Sequence, residues 1–238
     1  IAKSGILREE IFLTSKVWVE HYGYEQTKAS VYESLRKLKT DYIDLMLLHQ
    51  PFGDYYGAWR ALEELYGEGK LRSIGISNFY PDRMVDLCSF SRIRPMVNQV
   101  ETHPHNQQTE AQKWMQKYGV QIEAWAPFGE GRGGLFTDGT IAKIAAKYER
   151  TVAQIILRWE LQRGIVVIPK SVHIERMIEN FNVFDFALSD EEMAIMATLD
   201  KKQSSFFSHT DPNMVEWFVQ MVEQRKSNHD HSKDKKKW

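Results

Sequence analysis

Six short apolar runs, each followed by a turn and then by a stretch with helical spacing, constrain this chain more than any other feature. Such alternation of short strands and helices is typical of βα units around a parallel sheet. The predicted strands are Ile11–Lys16, Tyr42–His49, Ser73–Asn78, Met96–Glu101, Val120–Ala126 and Ile165–Ser171. Residues 43–48 and 165–168 are apolar almost throughout, which predicts strands buried on both faces. The pattern therefore predicts an α/β fold.

Helical periodicity fills the intervals between the runs. Apolar side chains recur on one face over Glu25–Lys39 and again over Gly57–Leu71, which predicts two crossover helices. Ser189 and Glu192 have the spacing of a capping box, so a further helix is expected to begin there. The first two helices have the place that a βα crossover requires.

Six successive βα units without a visible linker fit an eightfold barrel better than an open sheet with two domains. A complete barrel has roughly 250 residues, and two further units of about 30 residues each would bring this chain slightly above that figure. We therefore predict a (β/α)8 TIM barrel with roughly the first two βα units absent from this chain, which begins with Ile1 rather than methionine. The barrel is expected over residues 1–224. Residues 225–238 are expected to form a charged flexible tail, because Lys, His, Asp and Ser dominate them.

Composition narrows the classes of partner. The formal net charge is -1, from 31 basic and 32 acidic residues, which predicts no association with nucleic acid or with a membrane. The single cysteine, Cys88, can form neither an internal disulfide nor a cysteine-based metal site and suits a reducing compartment. No apolar stretch is long enough to span a bilayer. We expect a cytoplasmic monomer that binds a small molecule and no metal.

The ends of the predicted strands carry polar side chains. Active sites of such barrels form at the carboxyl edge of the strands. The residues in question are Lys16, His49, Ser77 with Asn78, Asn98 with Gln99, and Lys170 with Ser171. Polar residues are common at exposed strand ends, so any one of them carries little weight. Their recurrence at one edge predicts a site.

Several motifs resemble the aldo-keto reductase family, and the resemblance covers nearly the whole chain. They are Leu47-Leu-His-Gln-Pro51, Gly69-Lys-Leu-Arg-Ser-Ile-Gly-Ile-Ser-Asn-Phe79, and Ile168-Pro-Lys-Ser171 followed by Arg176 and Glu179-Asn180. The ending Ser204-Ser-Phe-Phe-Ser-His-Thr-Asp-Pro212 most resembles the bacterial 2,5-diketo-D-gluconate reductase and prostaglandin F synthase-like branch. The resemblance implies NADPH-dependent reduction of an aldehyde or ketone, a small carbonyl or keto-sugar, to the alcohol by hydride transfer.

The resemblance also implies catalytic roles. Lys16 matches the lysine whose charge lowers the pKa of the family's tyrosine acid, although it could be an ordinary surface lysine. His49 matches the histidine that orients the substrate carbonyl, with a structural barrel histidine as the alternative. The tyrosine, and the aspartate that pairs with the lysine, belong to an Asp-x-Ala-x-x-Tyr segment that does not occur in this sequence. We therefore expect the full-length parent to be the reductase and this chain alone to lack appreciable activity.

The cofactor site is more fully represented. In the family pattern Ser77, Asn78 and Gln99 match residues that hold the nicotinamide carboxamide, and Trp125 matches an aromatic residue that stacks on the ring. Without the resemblance, a core tryptophan would be the better interpretation of Trp125.

The predicted phosphate end lies near the start of a helix. Lys170, Ser171 and Arg176 are expected to bind phosphate, which favours NADPH over NADH. Arg176 matches the residue that covers the adenosine 2′-phosphate, and Glu179 and Asn180 match residues on the adenine side.

Trp18, His49 and Gln50 match residues of the substrate pocket. Many mammalian members have tryptophan at the position of Gln50, so the pocket of this chain is expected to be more polar. Ala126 replaces a common serine near the cofactor.

Two other functions remain open at this point. A non-catalytic NADPH-binding barrel subunit would retain the barrel without the tyrosine. A phosphate-binding isomerase would need a carboxylate base at a strand end, for which Glu101 is the available candidate. A Rossmann fold is disfavoured, because the glycine-rich Gly129–Gly134 follows Pro127 in a loop and does not directly open a helix.

Overall fold

The computed structural model describes the backbone of residues 4–234 and the side chains of residues 4–225. The chain divides into two compact units. The first unit comprises the residues up to Arg94 together with those from Phe207 onward, and the second comprises Pro95–Phe206. Each strand in both units is followed by at least one helix, as the sequence pattern predicts.

Among the described residues of the first unit there are three parallel strands, with β1 paired to β2 and β2 paired to β3. Its elements are β1 (Thr14–Val17), α1 (Tyr24–Leu38), β2 (Leu45–Leu48), α2 (Tyr55–Gly67), β3 (Ile74–Ser77), α3 (Pro81–Phe90) and α9 (Pro212–Asp234), with short 3-10 helices at Arg8–Glu10 and Val19–His21. Every residue of β2 and β3 is buried. This confirms the expectation that the apolar run over residues 43–48 is covered on both faces.

Helix α2 illustrates how local chemistry sets the bounds of an element. The carboxylate of Asp54 accepts a hydrogen bond from the backbone N–H of Gly57 at 2.8 Å, which caps the start of the helix. The helix ends at Gly67, before the predicted end at Leu71. Gly69 adopts a φ of 71°, a left-handed conformation that no helix can continue through.

The second unit also contains three parallel strands, with β4 paired to β5 and β5 paired to β6. Its elements are β4 (Val97–Glu101), α4 (Thr109–Tyr118), β5 (Gln121–Trp125), α5 (Gly139–Lys147), α6 (Val152–Gln162), β6 (Val166–Val167), α7 (Ile174–Phe181) and α8 (Asp190–Ala197), with short 3-10 helices at Gly129–Gly131 and Leu135–Thr137. Apolar side chains of α5, α6 and α8 form a buried cluster around Trp159. Ser189 and Glu192 form both hydrogen bonds of the predicted capping box at the start of α8.

The last predicted strand differs from the expectation. The pattern predicts a strand over Ile165–Ser171 that is buried on both faces, whereas β6 covers only Val166–Val167, and Val166 and Ile168 are exposed. Within the described residues of this unit β6 pairs with β5 alone, so one edge of the strand lacks a neighbour. Apolar character predicts that a strand can be buried on both faces, and burial also needs packing partners.

Helix α9 extends to Asp234. Its backbone therefore continues as helix beyond the predicted start of a flexible tail at residue 225, and residues 235–238 of that predicted tail lie outside the described residues. None of the helices in the described part of the chain is long and apolar enough to cross a membrane.

Candidate functional site

Parallel pairing places Lys16 and His49 on neighbouring strands of the first unit. Lys16 is opposite Leu47 in the register of β1 and β2. His49 directly follows β2, and its backbone N–H donates to the carbonyl of Val17 at 3.0 Å. Lys16 therefore lies inside its strand rather than at the end, because β1 runs one residue further than the pattern predicts.

The environment of His49 favours an uncharged imidazole. Its ring makes an edge contact with Trp18, with the ring centroids 4.7 Å apart. Burial, together with the positive charges of Lys16 and His209, lowers the pKa of His49 from 6.5 to about 4. A neutral imidazole has one N–H donor and one acceptor nitrogen. At neutral pH His49 can therefore donate a hydrogen bond without carrying charge.

The backbone of Gln50 is fixed by a tyrosine that sequence reasoning did not identify. The Gln50 N–H donates to the Tyr22 hydroxyl at 2.9 Å, and that hydroxyl donates to the Gln50 carbonyl at 2.8 Å. Burial raises the pKa of Tyr22, so the hydroxyl keeps its proton. Among the described side chains, Oε1 of Gln50 and Nε1 of Trp18 are buried without a hydrogen-bond partner. Buried polar atoms of this kind call for an explanation, and a polar ligand is one.

The end of β3 is held in an unusual backbone conformation. Ser77 is the last residue of the strand, and Asn78 has a left-handed φ of 65°. The Asn78 amide donates to the His49 carbonyl and to the Ser77 hydroxyl, each at 3.2 Å. Non-glycine residues in this conformation cluster at functional sites, and asparagine is among the residues that tolerate it best. Both side chains are buried and fixed in place.

Gln99 lies within β4 of the second unit rather than at its end. Its amide nitrogen donates to the carboxylate of Glu123 on β5, and both residues are buried. This hydrogen bond orients the amide. A charged residue inside an apolar run is the sequence signal that could have identified Glu123, because a buried carboxylate needs a donor.

Trp125 is the last residue of β5 and packs against Phe206. The ring centroids are 5.0 Å apart with an interplanar angle of 56°. The next residue, Ala126, has a φ of 49°, which an alanine adopts only at a cost of about 1–2 kcal/mol. Its carbonyl accepts a hydrogen bond from Gly129 at 2.8 Å.

A cavity of about 610 Å³ lies at the start of α7 and is lined by all five residues that the sequence predicts for the phosphate and adenine end. These are Lys170, Ser171, Arg176, Glu179 and Asn180. The cavity is also lined by Phe128, Glu130 and Phe136, which sequence reasoning did not identify. The glycine-rich loop thus contributes to the cavity through Glu130 and Gly131.

Local hydrogen bonds engage two of these cavity side chains. The Ser171 hydroxyl accepts from the backbone N–H of His173 at 3.1 Å and forms a turn just before α7. The Glu179 carboxylate accepts from the hydroxyl of Thr151 at 2.7 Å. Lys170 and Arg176 are exposed. The start of α7 has no side-chain cap, so its first N–H groups can serve an anion.

The comparison with family models gives one match over most of the chain. The model of the Aldo/keto reductase family matches residues 1–201.

Named relatives and solved structures are similar over most of their length. Glyoxal reductase from Bacillus subtilis (strain 168) is 48% identical over 204 residues, which is 85% of this chain and 73% of the relative. The crystal structure of MGS-M4, an aldo-keto reductase from a Medee basin deep-sea metagenome library, has a TM-score of 0.85 at 42% identity, with coverage of 87% of this chain and 78% of that chain. The Bombyx mori aldo-keto reductase AKR2E4 in complex with NADP has a TM-score of 0.82 at 35% identity, with coverage of 87% and 73%. These similarities confirm the predicted (β/α)8 barrel class.

Proposed function

Because the chain belongs to the aldo/keto reductase family, we propose that it supplies the NADPH site and two catalytic side chains of an enzyme that reduces small aldehydes or ketones to alcohols. The family supports carbonyl reduction as the general reaction. When bound, NADPH supplies the hydride. The protein orients the cofactor and the substrate for hydride transfer, and its acid–base groups transfer the proton.

The observation that carries this proposal is the cavity at the start of α7. Lys170 and Arg176 bring two positive charges to the same space as the uncapped N–H groups of the helix. A phosphate monoester is the group that such a set of donors suits, because charge-assisted hydrogen bonds and the helix dipole act together. We infer that the cavity takes the adenosine 2′-phosphate of NADPH, with Glu179 and Asn180 on the adenine side.

The nicotinamide end is assigned to buried polar groups on and next to strands β3 and β4. Ser77, Asn78 and Gln99 would hydrogen-bond the carboxamide, and Trp125 would stack on the ring. In support of these roles, Asn78 and Gln99 are each held by internal hydrogen bonds, so little side-chain entropy remains to be lost on binding. Rigid donors and acceptors of this kind fix which face of the ring is presented to the substrate.

His49 would donate a hydrogen bond to the substrate carbonyl and orient it. Its lowered pKa supports this role, because the imidazole is neutral at physiological pH and need not first lose a proton. Lys16, whose charge acts on His49, would favour the ionised form of the family's tyrosine acid. Trp18 and Gln50 would line the substrate pocket.

The substrate is proposed to be a small carbonyl compound or keto-sugar. Two observations support a polar substrate: the buried Oε1 of Gln50 and the buried Nε1 of Trp18 have no hydrogen-bond partner among the described residues. The 48% identity to a glyoxal reductase favours a short aldehyde. A reducing compartment such as the cytoplasm suits the buried, unpaired Cys88, and we propose a monomer there.

No segment of the sequence matches the family's Asp-x-Ala-x-x-Tyr pattern. We therefore propose that the 238-residue chain binds NADPH without appreciable turnover. Tyr22 does not substitute for the missing acid, because its hydroxyl is buried and bonded to Gln50.

The experiment titrates the 238-residue chain with NADPH and NADH, following nicotinamide fluorescence, and then adds glyoxal while NADPH absorbance is recorded. We expect saturable binding that favours NADPH by about tenfold or more, and no decay of absorbance above the rate without protein. Lack of NADPH binding would refute the proposed function. Clear turnover would refute the proposal that this chain lacks its acid.

A further inference from the structure

A buried carboxylate at the end of β4 holds the segment that packs against Trp125. Glu101 accepts a hydrogen bond from the backbone N–H of Ser205 at 2.7 Å and another from the hydroxyl of Ser204. Its Oε1 lies 2.9 Å from Nε2 of His103. The same histidine nitrogen lies 3.2 Å from the Ser205 hydroxyl. We call Glu101, His103 and the residues Ser204–Phe206 the strand-four latch.

The two charged or titratable side chains of the latch, Glu101 and His103, are sheltered from water. Glu101 is 5% exposed and His103 is fully buried. Burial by itself raises the pKa of Glu101, but hydrogen bonds from His103, Ser204 and Ser205 outweigh it and hold the pKa below its ordinary value. The carboxylate is therefore ionised at neutral pH and accepts several hydrogen bonds, which are the strong, directional kind.

The latch adjoins Trp125, the residue predicted to stack on the nicotinamide ring. Glu101 is opposite Trp125 in the register of β4 and β5. The next residue along from the latched serines, Phe206, packs on the Trp125 ring. The guanidinium of Arg132 lies over the Phe206 ring, 4.5 Å from its centroid. The position of the Trp125 ring thus depends on where Ser204 and Ser205 are held.

We propose that Glu101 and His103 are positioning residues for the cofactor: they fix the Ser204–Phe206 segment so that Phe206 holds the Trp125 ring in the orientation that stacks on nicotinamide. This inference rests on the proposed function. It gives Glu101 a role that differs from the catalytic base of an isomerase, because its oxygens are occupied by protein donors. A buried carboxylate is weak evidence for a purely stabilising role, because well-packed apolar residues at such positions often give equal or greater stability.

The test compares Glu101→Gln with the wild type using two probes, NADPH and 2′,5′-ADP. The second probe has the adenosine and the 2′-phosphate but no nicotinamide. We expect Glu101→Gln to bind NADPH roughly three- to tenfold more weakly, the range for one aromatic contact, with a changed nicotinamide emission spectrum. Its affinity for 2′,5′-ADP should equal that of the wild type.

A matched control is Glu192→Gln on α8. Glu192 is also 5% exposed, but its carboxylate accepts hydrogen bonds from Lys147, Tyr148 and the backbone N–H of Ser189. This variant should lower the melting temperature without changing the affinity for NADPH or its emission. An equal loss of NADPH affinity in both variants would overturn the proposal, because destabilisation alone would then explain it.

Phe206→Leu keeps the test decisive if Glu101→Gln does not fold. Phe206 is half-buried, and the leucine leaves the hydrogen bonds of Ser204 and Ser205 in place. It should reproduce the change in nicotinamide emission with unchanged 2′,5′-ADP affinity. Wild-type emission in Phe206→Leu, or equal weakening of both probes in Glu101→Gln, would overturn the inference. Failure of the wild type to bind either probe would instead refute the proposed function.

Discussion

The two predicted ends of the cofactor site differ in how firmly the protein holds its own side chains. At the nicotinamide end, Ser77, Asn78 and Gln99 are nearly completely buried and hydrogen-bonded within the protein. At the start of α7, Lys170 and Arg176 are exposed. The side chains of the nicotinamide end therefore belong to the interior of the protein, whereas the charged side chains of the phosphate end lie on its surface. Substitutions at the nicotinamide end should therefore affect both stability and cofactor binding. Substitutions at the start of α7 should affect cofactor binding alone.

The largest expected effect is at Gln99. Gln99→Leu removes the donor to the buried Glu123 carboxylate, which should lower the free energy of unfolding by about 1–3 kcal/mol. NADPH binding should weaken as well, because the carboxamide loses its partner. Urea unfolding and fluorescence titration measure the two effects.

A double variant separates them. Gln99→Leu with Glu123→Leu removes both partners, so no buried carboxylate is left without a donor. Stability should recover towards the wild type while NADPH binding stays weak. Wild-type affinity in the double variant would show that Gln99 stabilises the fold without contacting the cofactor.

Arg176→Met tests the exposed end. Arg176 lines the cavity and is exposed, so the melting temperature should not change. Loss of a charge-assisted phosphate contact of about 1.5–3 kcal/mol should weaken NADPH binding by roughly ten- to a hundredfold. NADH, which lacks the 2′-phosphate, should bind as before. Arg36→Met on α1 is the matched control, and an equal loss of NADPH affinity there would point to net charge rather than to the cavity.

Lowering the pH should reveal the lowered pKa of the half-buried His49 through a loss of stability. Its folded pKa is about 4, against an ordinary value of 6.5, so the unfolded state binds more protons between these values. The stability that the neutral imidazole contributes is present above pH 6.5 and is lost as the pH falls towards 4. Between pH 7 and pH 5 the wild type should lose about 2 kcal/mol that His49→Asn keeps. Identical pH profiles of unfolding would contradict the half-buried, uncharged imidazole of His49.

How much of this arrangement the sequence could predict depends on the range of the interactions involved. Apolar runs and helical spacing are local, and they predicted the strands near His49 and Ser77 within a few residues. The capping box at Ser189 was predicted for the same reason, since its partners are three residues apart. The family motifs likewise predicted the residues around the α7 cavity, because each motif is continuous in sequence.

Contacts between distant segments could not be predicted in this way. Phe206 meets Trp125, and Ser205 meets Glu101, across long stretches of chain, and no spacing rule links them. The exposure of β6 was missed because an apolar pattern does not say whether a neighbouring strand is present. Sequence reasoning identified the residues that we propose to contact the cofactor, but it missed the residues that hold them in place.

The smallest expected effect is at Ser171, whose hydroxyl both forms the turn before α7 and lines the cavity. Because the turn is exposed, Ser171→Ala should lower the free energy of unfolding by less than about 0.5 kcal/mol. NADPH binding should weaken by roughly two- to tenfold, the range for one neutral hydrogen bond, and 2′,5′-ADP should follow it. Isothermal titration of both ligands measures this. If the free energy of unfolding fell while both affinities were unchanged, Ser171 would stabilise the fold rather than bind phosphate. The difference between the nicotinamide end and the phosphate end would then not hold at that residue.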